Sequence, residues 1–425
     1  ALIAGAPVTC FGLPPYAGWG LTDDRMACPR RNGRPSLEAV VAAVYQRYCL
    51  YLSPLTGQPC SALDIARLLA ARRRRDAETA GLTHVLGVHP WKRVQVRPFL
   101  EGRRSTLTWT MQPDEVLARQ RAQGGRIVAW SSRMPDDLPE RAQAQGAALV
   151  RMEDGFVRSI GLGANMELPY TLVLDNRGVY YDPSAPSDLE ILLQTAEFTP
   201  EILERAAALR RQITSARLSK YNVGSGEIGD LMQGADGRRR VLVPAQVAND
   251  ASVVRGGGAV RDNLELLKAV RAAHPDAFIV FKPHPDVESG IRPGAVPEED
   301  VLRYANVIAA RLSMAHLLDQ VDEVCTMTSL SGFEALLKGL PVTTYGMPFY
   351  AGWGITQDTE RCQRRTRRLN LDELVAGTLL LYPRYVDRVT DWPCEAEDVV
   401  RRLSFGLLQT DTKSLLRRSR TKTLV

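Results

Sequence analysis

Residues 277–286 read AFIVFKPHPD, an apolar run that ends in a lysine and a histidine set between prolines. A short, strongly apolar run of this kind predicts a buried β-strand. Because strands and helices alternate around it, this half of the chain is predicted to form a parallel sheet with right-handed crossovers, as in Rossmann-like domains. The other predicted strands are 241–243, 323–326 and 341–344, and the predicted helices are 263–273, 313–320 and 332–338.

The same alternation occurs upstream of a polar linker at 234–240. We therefore predict an α/β protein in which two Rossmann-like domains face a cleft, with an extra helical segment at the N-terminus. A helix beginning at Ala396 should pack back on the first domain. Ligands of such sheets bind at the carboxyl ends of strands. In the upstream half the predicted strands are 126–130, 147–152, 171–174 and 179–181, and the predicted helices are 137–145 and two that begin at Asp188 and Pro200.

The beginning of the chain is repeated near its end. Residues 1–22, ALIAGAPVTCFGLPPYAGWGLT, align without a gap on residues 335–356, ALLKGLPVTTYGMPFYAGWGIT. Such a long spacing indicates duplication of a whole module rather than a solenoid repeat. We predict the remnant of an upstream module at 1–80, a first Rossmann-like domain at 81–238, a second at 239–395, and a C-terminal helix with a basic tail at 396–425.

Composition limits the possible functions. The 425 residues are 45% hydrophobic and 24% charged, which is typical of a globular protein. The basic residues are not interleaved with stacking aromatics, which argues against nucleic-acid binding. Basic blocks at 72–75 and 413–422 indicate either solvated surfaces or attraction to an anionic membrane. Seven cysteines without a CxxC pair favour a reducing cytoplasm.

An acidic segment follows the strand predicted at 147–152. Glu153 and Asp154 are adjacent carboxylates, and Arg158 follows four positions after Asp154. Such a group can hold one carboxylate ionised as a base or nucleophile. The structural alternative is a simple Asp-Gly turn between strands.

Cationic and hydroxyl-bearing residues follow the strands of the second half. Lys282 and His284 lie on a loop stiffened by prolines and suit a phosphate. A hydroxyl-rich turn that opens a helix forms a second anion site, although serine there is also an ordinary helix cap. The remaining histidines, at 84, 89, 274 and 316, are interpreted as structural. The other candidate nucleotide- or phosphate-binding residues are Thr328, Ser329, Ser331, Glu334 and Gln246.

Motifs for common cofactors are missing from the sequence. It contains no Walker loop, no GxGxxG fingerprint and no acidic metal clamp in a suitable loop, so neither a metal nor ATP or NAD is expected. The repeated YAGWG segment at 350–354 is either a packing motif or a wall of the substrate site, and packing is favoured.

In combination, these motifs resemble those of the bacterial capsule polysaccharide biosynthesis family, specifically the two-module β-Kdo transferases of the KpsC type. The resemblance covers residues 125–410, and the YAGWG segment at 16–20 resembles the end of a first transferase module. The motifs that carry it are EDGFVRS at 153–159, KPHP at 282–285, TSLSGFE at 328–334 and YAGWG at 350–354.

The resemblance implies a GT-B glycosyltransferase that takes Kdo from CMP-Kdo with retention and builds the Kdo linker of a capsule on a phosphatidylglycerol-linked acceptor. Mapped onto this chain, the hypothesis is that Asp154 attacks the sugar as nucleophile, tuned by Glu153 or Arg158, with front-face attack without a covalent intermediate as the alternative. His284 and Lys282 would then stabilise the departing CMP. The expected setting is cytoplasmic, with possible contacts to the anionic inner membrane and the capsule export machinery.

Two other functions remain open from the sequence. A sugar-nucleotide epimerase or hydrolase could use the same cleft, with Asp154 as a base. A non-catalytic module could bind glycolipid or scaffold export. The first would consume nucleotide sugar without an acceptor, and the second would be expected to lose the acid or His284, both of which are present.

Overall fold

A computed structural model describes residues 1–157, 168–219 and 229–406. Arg158 and the basic stretch 413–422 lie outside these residues. The chain divides into two compact units, Ala1–Arg74 and Arg75–Val425. Among the described residues, no helix is both long and apolar enough to cross a membrane.

The first unit consists of short elements. Helix α1 begins where the Ser36 side chain accepts a hydrogen bond from the backbone N–H of Ala39, and it continues as a π-helix. Of the helical segment predicted at the N-terminus, this part is helical up to Tyr48. The elements are a 3₁₀ turn at Leu2–Ala4, strands β1 (Thr9–Cys10), β2 (Asp23–Asp24), β3 (Tyr51–Leu52) and β4 (Pro59–Cys60), helix α1 (Leu37–Val41), the π-helix Ala42–Tyr48 and the start of α2 (Ala62–Glu78).

The first YAGWG loop is held by a small set of hydrogen bonds. The Asp24 carboxylate accepts the backbone N–H of Gly18 at 2.7 Å and the hydroxyl of Thr22 at 2.6 Å. The Arg31 guanidinium donates to the backbone oxygens of Pro14 at 2.6 Å and Ala17 at 2.7 Å. The loop and the two side chains that hold it therefore come from one short stretch of sequence.

The second copy repeats these hydrogen bonds. Asp358 accepts the N–H of Gly352 at 2.8 Å and the hydroxyl of Thr356 at 2.6 Å. Arg365 donates to the backbone oxygens of Pro348 at 2.6 Å and Ala351 at 2.8 Å. The duplication therefore extends from the sequence to the individual bonds of the fold.

The first half of the second unit is built on a seven-stranded sheet within the described residues. Its strands, in spatial order, are β17 (Trp392–Cys394), β16 (Pro383–Asp387), β9 (Thr171–Asp175), β8 (Leu149–Asp154), β7 (Arg126–Trp130), β5 (Gly81–Leu86) and β6 (Ser105–Thr110). Its helices are α3 (Pro90–Leu100), α4 (Pro113–Gln123), α5 (Leu138–Ala144), α6 (Asp188–Thr195) and α7 (Pro200–Ser215). We call this sheet and its helices the first lobe.

Two predictions for the first lobe were wrong. Strands β5 to β8 are parallel, but β9 pairs antiparallel with β8, and β16 and β17 continue antiparallel, so the sheet is mixed. Residues 179–181 form turns rather than a strand. Their apolar character serves packing instead, because the ring of Tyr180 lies 4.8 Å from that of Phe156.

The second lobe is built on a six-stranded sheet within the described residues, two strands more than predicted, and the predicted parallel pairing is confirmed. Its strands, in spatial order, are β12 (Val307–Ile308), β11 (Phe278–Lys282), β10 (Arg240–Pro244), β13 (Glu323–Thr326), β14 (Val342–Thr344) and β15 (Gln357–Asp358). Its helices are α8 (Ala251–Gly256), α9 (Asn263–Ala273), α10 (Pro285–Glu288), α11 (Glu298–Leu302), α12 (Met314–Leu317) and α13 (Leu330–Leu337).

The chain then returns to the first lobe. Helix α14 (Leu371–Val375), a π-helix (Ala376–Leu381) and helix α15 (Ala396–Gly406) pack on that side together with β16 and β17. The predicted return of the last helix is confirmed, because Arg205 of α7 forms an ion pair with Glu397 of α15 at 2.9 Å. The two Rossmann-like lobes are therefore connected by the polar linker and by the segment that returns from the second lobe to the first.

A buried ion pair also joins the lobes. Glu190 of α6 is almost completely buried and accepts from Arg365 at 3.0 Å and from Arg364 at 2.6 Å. Both arginines follow β15 of the second lobe. Breaking one partner of a buried pair leaves an uncompensated charge, so these contacts fix how the lobes meet.

Candidate active site

A cavity of about 750 Å³ lies between the two lobes. Its walls are formed by residues at the carboxyl ends of strands of both sheets, where ligands of α/β sheets bind. Glu153 and Asp154 line it from the first lobe. The predicted residues that line it from the second lobe are Gln246, Lys282, His284, Thr328, Ser329, Ser331 and Glu334.

Glu153 and Asp154 are the last two residues of β8, not part of a loop as predicted. They pair with Val173 and Leu172 of the antiparallel strand β9, which fixes their backbone. The Glu153 carboxylate accepts the N–H of Asp154 at 3.0 Å. A strand holds the two acids more rigidly than a turn would.

Gly155 follows because a neighbouring side chain approaches too closely for any larger residue. A Cβ at this position would lie 2.3 Å from the Cγ2 atom of Thr171. The backbone N–H of Gly155 donates to the oxygen of Thr171 at 3.2 Å, so the strand pair continues one residue past Asp154. The glycine is therefore required by packing behind the acids rather than by a turn.

Phe156 anchors the acidic strand end to the second lobe. Its ring centroid lies 4.6 Å from that of Phe349 and 6.2 Å from that of Phe333, both in the second lobe. On its own side the ring contacts Tyr180 and Tyr382. This aromatic cluster, 156/180/333/349/382, sets the position of Asp154 relative to the opposite wall.

Tyr180 connects the cluster to Asp154 directly. Its hydroxyl donates to the backbone oxygen of Asp154 at 3.1 Å. Burial, with smaller contributions from the charges of Glu153 and Asp154, raises the pKa of Tyr180 well above its usual value. The phenol therefore stays protonated and remains a donor throughout the physiological pH range.

His284 caps helix α10 and lines the cavity. Its Nδ1 atom accepts the backbone N–H of Asp286 at 3.2 Å. Because an accepting Nδ1 carries no proton, the ring proton of the neutral form lies on Nε2. The imidazole can therefore donate a hydrogen bond to a phosphate without becoming charged.

Lys282, the last residue of β11, is almost completely buried. Its ammonium donates to Glu288 at 3.3 Å and to the backbone oxygen of Pro283 at 3.2 Å. Burial lowers the pKa of Lys282, an effect that Glu288 opposes. The lysine lines the cavity, but its charge is already partly balanced by Glu288.

Gln246 and Thr328 form a buried frame at the base of the cavity. The Gln246 amide donates to the Thr328 hydroxyl and accepts the Thr328 N–H, both at 2.9 Å. The backbone N–H of Gln246 donates to the Asn263 side-chain oxygen, and the Asn263 side-chain amide donates to the backbone oxygen of Gln246. These two predicted residues therefore brace the loops after β10 and β13 against each other.

The hydroxyl-rich turn after β13 opens helix α13 as predicted. Ser329 is the cap, and its hydroxyl accepts the N–H of Ser331 at 3.2 Å. The Gly332 N–H donates to the Ser329 backbone oxygen. Among the described residues no acceptor is bonded to the N–H of Leu330, which also lines the cavity. The Ser329 hydroxyl also donates to the Ser331 hydroxyl at 3.2 Å, so the helix N-terminus presents one backbone donor and a hydrogen-bonded pair of hydroxyls to an anion.

The YAGWG segment supports this helix from below. Tyr350 is fully buried, and its hydroxyl donates to the backbone oxygen of Ser329 at 2.5 Å. Gly332 allows this approach, because a Cβ there would lie 2.3 Å from the Tyr350 hydroxyl. Trp353 is also fully buried, so packing, the favoured prediction, is confirmed.

The cavity also contains residues that the sequence did not predict. Arg133, Arg255 and Arg292 line it, together with Tyr181. Arg133 closes the 3₁₀ turn Ser131–Arg133, directly after β7. Its place directly after a strand on the ligand side is the sequence signal that could have identified it.

One group of possible metal ligands occurs among the described residues. His274, Glu323 and Cys325 bring ligand atoms within 4.8 Å of one another. They lie near the amino end of β13, away from the cavity-lining residues. Glu323 already binds the Thr343 hydroxyl at 2.8 Å and Arg239 at 2.8 Å. Burial raises the pKa of the Cys325 thiol, which keeps it protonated.

A family model described as "Capsule polysaccharide biosynthesis protein" matches residues 1–58 and 125–385. Capsule polysaccharide modification protein LipA of Neisseria meningitidis serogroup B is 40% identical over 403 residues, which are 93% of this chain and 57% of LipA. Lipopolysaccharide-processing protein LpsZ of Rhizobium meliloti is 40% identical over 71% of this chain and 69% of LpsZ. The chain therefore spans 57% of the length of LipA, a curated relative that it matches.

Two solved structures from Thermosulfurimonas dismutans are similar to this chain. One, titled KpsC, beta Kdo 2,7 transferase, is 34% identical with a TM-score of 0.64 and covers 77% of this chain and 100% of that one. The other, titled KpsC, beta Kdo 2,4 transferase, is 32% identical with a TM-score of 0.66 and covers 75% and 97%. The predicted GT-B-like fold is confirmed.

Proposed function

Because the chain belongs to the capsule polysaccharide biosynthesis protein family, we propose that it is a retaining glycosyltransferase that moves Kdo from CMP-Kdo to a Kdo-terminated glycolipid. The product would be the Kdo linker of a bacterial capsule polysaccharide. The similarity to two structures titled as beta Kdo transferases supports this substrate class.

The observation that carries the proposal is the composition of the cavity between the lobes. Two carboxylates, Glu153 and Asp154, line it from one lobe, and His284 and the N-terminus of α13 line it from the other. Its volume of about 750 Å³ lies within the usual range of about 300–1,000 Å³ for ligand pockets. A nucleotide sugar would therefore bind with its sugar beside the carboxylates of the first lobe and its phosphate beside the donors of the second lobe.

In the proposed first step the Asp154 carboxylate attacks the anomeric carbon of Kdo. The bond from that carbon to the phosphate oxygen breaks, its electron pair leaves with CMP, and a glycosyl ester forms on Asp154. In the second step an acceptor hydroxyl attacks the same carbon, Asp154 leaves, and Glu153 takes the hydroxyl proton. Two inversions give net retention, as in retaining glycosidases.

The departing CMP gains negative charge on its phosphate. The Nε2–H of His284 and the Leu330 N–H with the hydroxyls of Ser329 and Ser331 are the proposed donors for this charge. The proposal assigns the charge to protein groups rather than to a metal or another cofactor. Transfer should therefore persist after treatment with a chelator and dialysis.

We further propose a phosphatidylglycerol-linked Kdo acceptor and a cytoplasmic location, with peripheral contacts to the inner membrane and the capsule export machinery. The excess of basic residues, with a net charge of +6, supports attraction to an anionic surface. All seven cysteines are free thiols, which fits a reducing compartment.

The proposal is tested by incubating the protein with CMP-Kdo and a synthetic Kdo-terminated acceptor, followed by NMR of the product linkage. Asp154→Ala should abolish transfer while CMP still binds, as measured by calorimetry. Asp114→Ala, on helix α4 with an 87% exposed side chain, is the matched control and should remain active.

The same assay separates the alternative functions. Consumption of CMP-Kdo without acceptor would indicate a hydrolase or epimerase. Binding of glycolipid without any turnover would indicate a non-catalytic scaffold. Substantial transfer by Asp154→Ala would refute the assignment of the nucleophile even if the wild type is a transferase.

A further inference from the structure

Four acidic side chains of the described residues line the cavity between the lobes. Glu153, Asp154, Asp250 and Glu334 line it. Every Kdo unit, in the donor and in the acceptor alike, carries its own carboxylate. A substrate of this kind therefore needs at least one cation that is not already neutralised by the protein.

Among the described residues, most of the lysines and arginines that line the cavity are engaged with protein acids. The Lys282 ammonium pairs with Glu288 at 3.3 Å. The Arg292 guanidinium lies 3.6 Å from the carboxylate of Asp250 and donates to Asn249 at 2.9 Å.

Arg255 is engaged across the cleft. From helix α8 of the second lobe it pairs with Asp136 of the first lobe at 2.6 Å, and it lies 3.7 Å from Asp182. These contacts raise its pKa, chiefly through the hydrogen bond to Asp136. Its charge is thus engaged with carboxylates of the first lobe.

Arg133 differs from the other three cations. Its side chain is exposed and lines the cavity, and it forms no ion pair or side-chain hydrogen bond with any other described residue. The backbone is nevertheless fixed, because Met134 donates to Ser131 at 3.2 Å and closes the turn. A Cβ on Gly87 would lie 3.3 Å from the Arg133 Cβ, so the base of the side chain is packed.

The position of Arg133 brings it to the acidic side of the cavity. It follows β7, which pairs in parallel with β8 so that Trp130 lies opposite Met152. Asp154 follows two residues after Met152, and Arg133 three residues after Trp130. The two side chains therefore belong to neighbouring strand ends of the same sheet edge.

We infer that Arg133 binds the carboxylate of a Kdo unit in the substrate. A guanidinium matches a carboxylate with two parallel hydrogen bonds, which gives both affinity and orientation. The inference rests on the proposed function, because it names the group by which that site recognises its sugar. It makes Arg133 a specificity residue and not a member of the reacting group.

Direct binding tests this without turnover. A synthetic Kdo glycoside and its methyl ester are titrated into the full chain by saturation-transfer NMR or calorimetry. The wild type should bind the free acid at least 10-fold more tightly than the ester. Arg133→Ala should lose this preference, and Arg133→Lys should recover part of it. Arg303→Ala, a 64% exposed arginine on the second lobe, should behave as the wild type.

Steady-state kinetics then identify which carboxylate is bound. A rise in KM for the acceptor alone assigns Arg133 to the acceptor sugar, and a rise in KM for CMP-Kdo alone assigns it to the donor. In either case kcat at saturation should change less than threefold, because the arginine does not act on the reacting atoms.

Equal binding of acid and ester by the wild type, or an unchanged preference in Arg133→Ala with a native thermal transition, would overturn the inference. A wild type that shows arginine-dependent binding but no transfer would instead contradict the proposed function alone. The two failures are thus distinguishable.

Discussion

Phe156 provides the strongest test of how the acids are positioned. Its side chain is almost completely buried, and the two nearest ring centroids, those of Phe349 and Tyr180, lie at 4.6 Å and 4.8 Å. Truncating a buried phenylalanine to alanine costs about 3–5 kcal/mol. Each lost aromatic pair accounts for about 0.5–1.5 kcal/mol beyond burial, so Phe156→Ala should lie near the upper end of that range, at about 5 kcal/mol.

The fall in kcat of Phe156→Ala should be larger than its loss of folded protein alone would cause. Phe156 is two residues from Asp154 and packs against the second lobe, so its loss releases the proposed nucleophile from its fixed position. A misplacement of about 1 Å is enough to lower a rate about 100-fold. We expect a fall of that order in kcat, measured as CMP release per folded molecule at low temperature.

Phe99→Ala is the matched control. Phe99 is fully buried in the core of the first lobe, away from the cavity-lining residues. It should lose similar stability in denaturant unfolding while kcat per folded molecule changes less than threefold. Phe156→Leu, which keeps apolar volume, should fold even if Phe156→Ala does not, and should show an intermediate kcat. Equal kcat values for Phe156→Leu, Phe99→Ala and wild type would refute the positioning role.

Two further predictions concern stability. Tyr350→Phe removes the buried hydroxyl that donates to Ser329 and should lower the unfolding free energy by about 1 kcal/mol, whereas Tyr16→Phe, its partly exposed counterpart in the first copy, should change it by less than about 0.5 kcal/mol in thermal unfolding. The hydrogen bond from Arg240 lowers the pKa of Asp322 below its usual value of 3.8, so this pair stabilises the fold above pH 3.8 and the stabilisation is lost as pH falls through the lower folded pKa. Because the carboxylate is partly exposed, Asp322→Asn should cost only about 0.2–1 kcal/mol at pH 7. The variant's unfolding free energy should also depend less on pH in the acid range.

The sequence predicts the second lobe well. Strand β13 and helix α9 have the predicted bounds. Their apolar runs are bounded by clear signals, such as the Asp262 side chain that accepts the N–H of Glu265 at the start of α9. Strands β11 and β13 of this parallel sheet are buried along their whole length, so local hydrophobicity identifies them, whereas the short edge strands β12 and β15 are partly exposed and were missed.

The first lobe is less predictable because its cues are not local. Strand β5 contains His84, which is fully buried and bonded to the Thr108 hydroxyl at 2.8 Å and the Gly124 oxygen at 3.0 Å. Because the hydrogen-bond partners of His84 lie 24 and 40 residues away along the chain, a single sequence shows only a polar residue that interrupts the apolar pattern of the strand. The prediction that His84 is structural is confirmed, but the strand itself was missed.

The candidate site was likewise predicted only where its cues are local in sequence. Strand ends and the helix cap predicted which side of the sheets carries the chemistry, and Glu153, Asp154, His284 and Ser329 do line one cavity. The sequence could not show that Lys282 is paired with Glu288, since that depends on how α10 folds back over β11. Arg158 lies outside the described residues, and its role remains a prediction.

The central claim is that Asp154 forms a bond to the sugar in the cavity between the lobes. Brief incubation with CMP-Kdo in the absence of acceptor, followed by proteolysis and tandem mass spectrometry, should find one Kdo unit on the peptide that contains Asp154, with the modification on that side chain. Formation of retained product by an enzyme whose Asp154 is never modified, and whose Asp154→Ala variant remains active, would contradict the account.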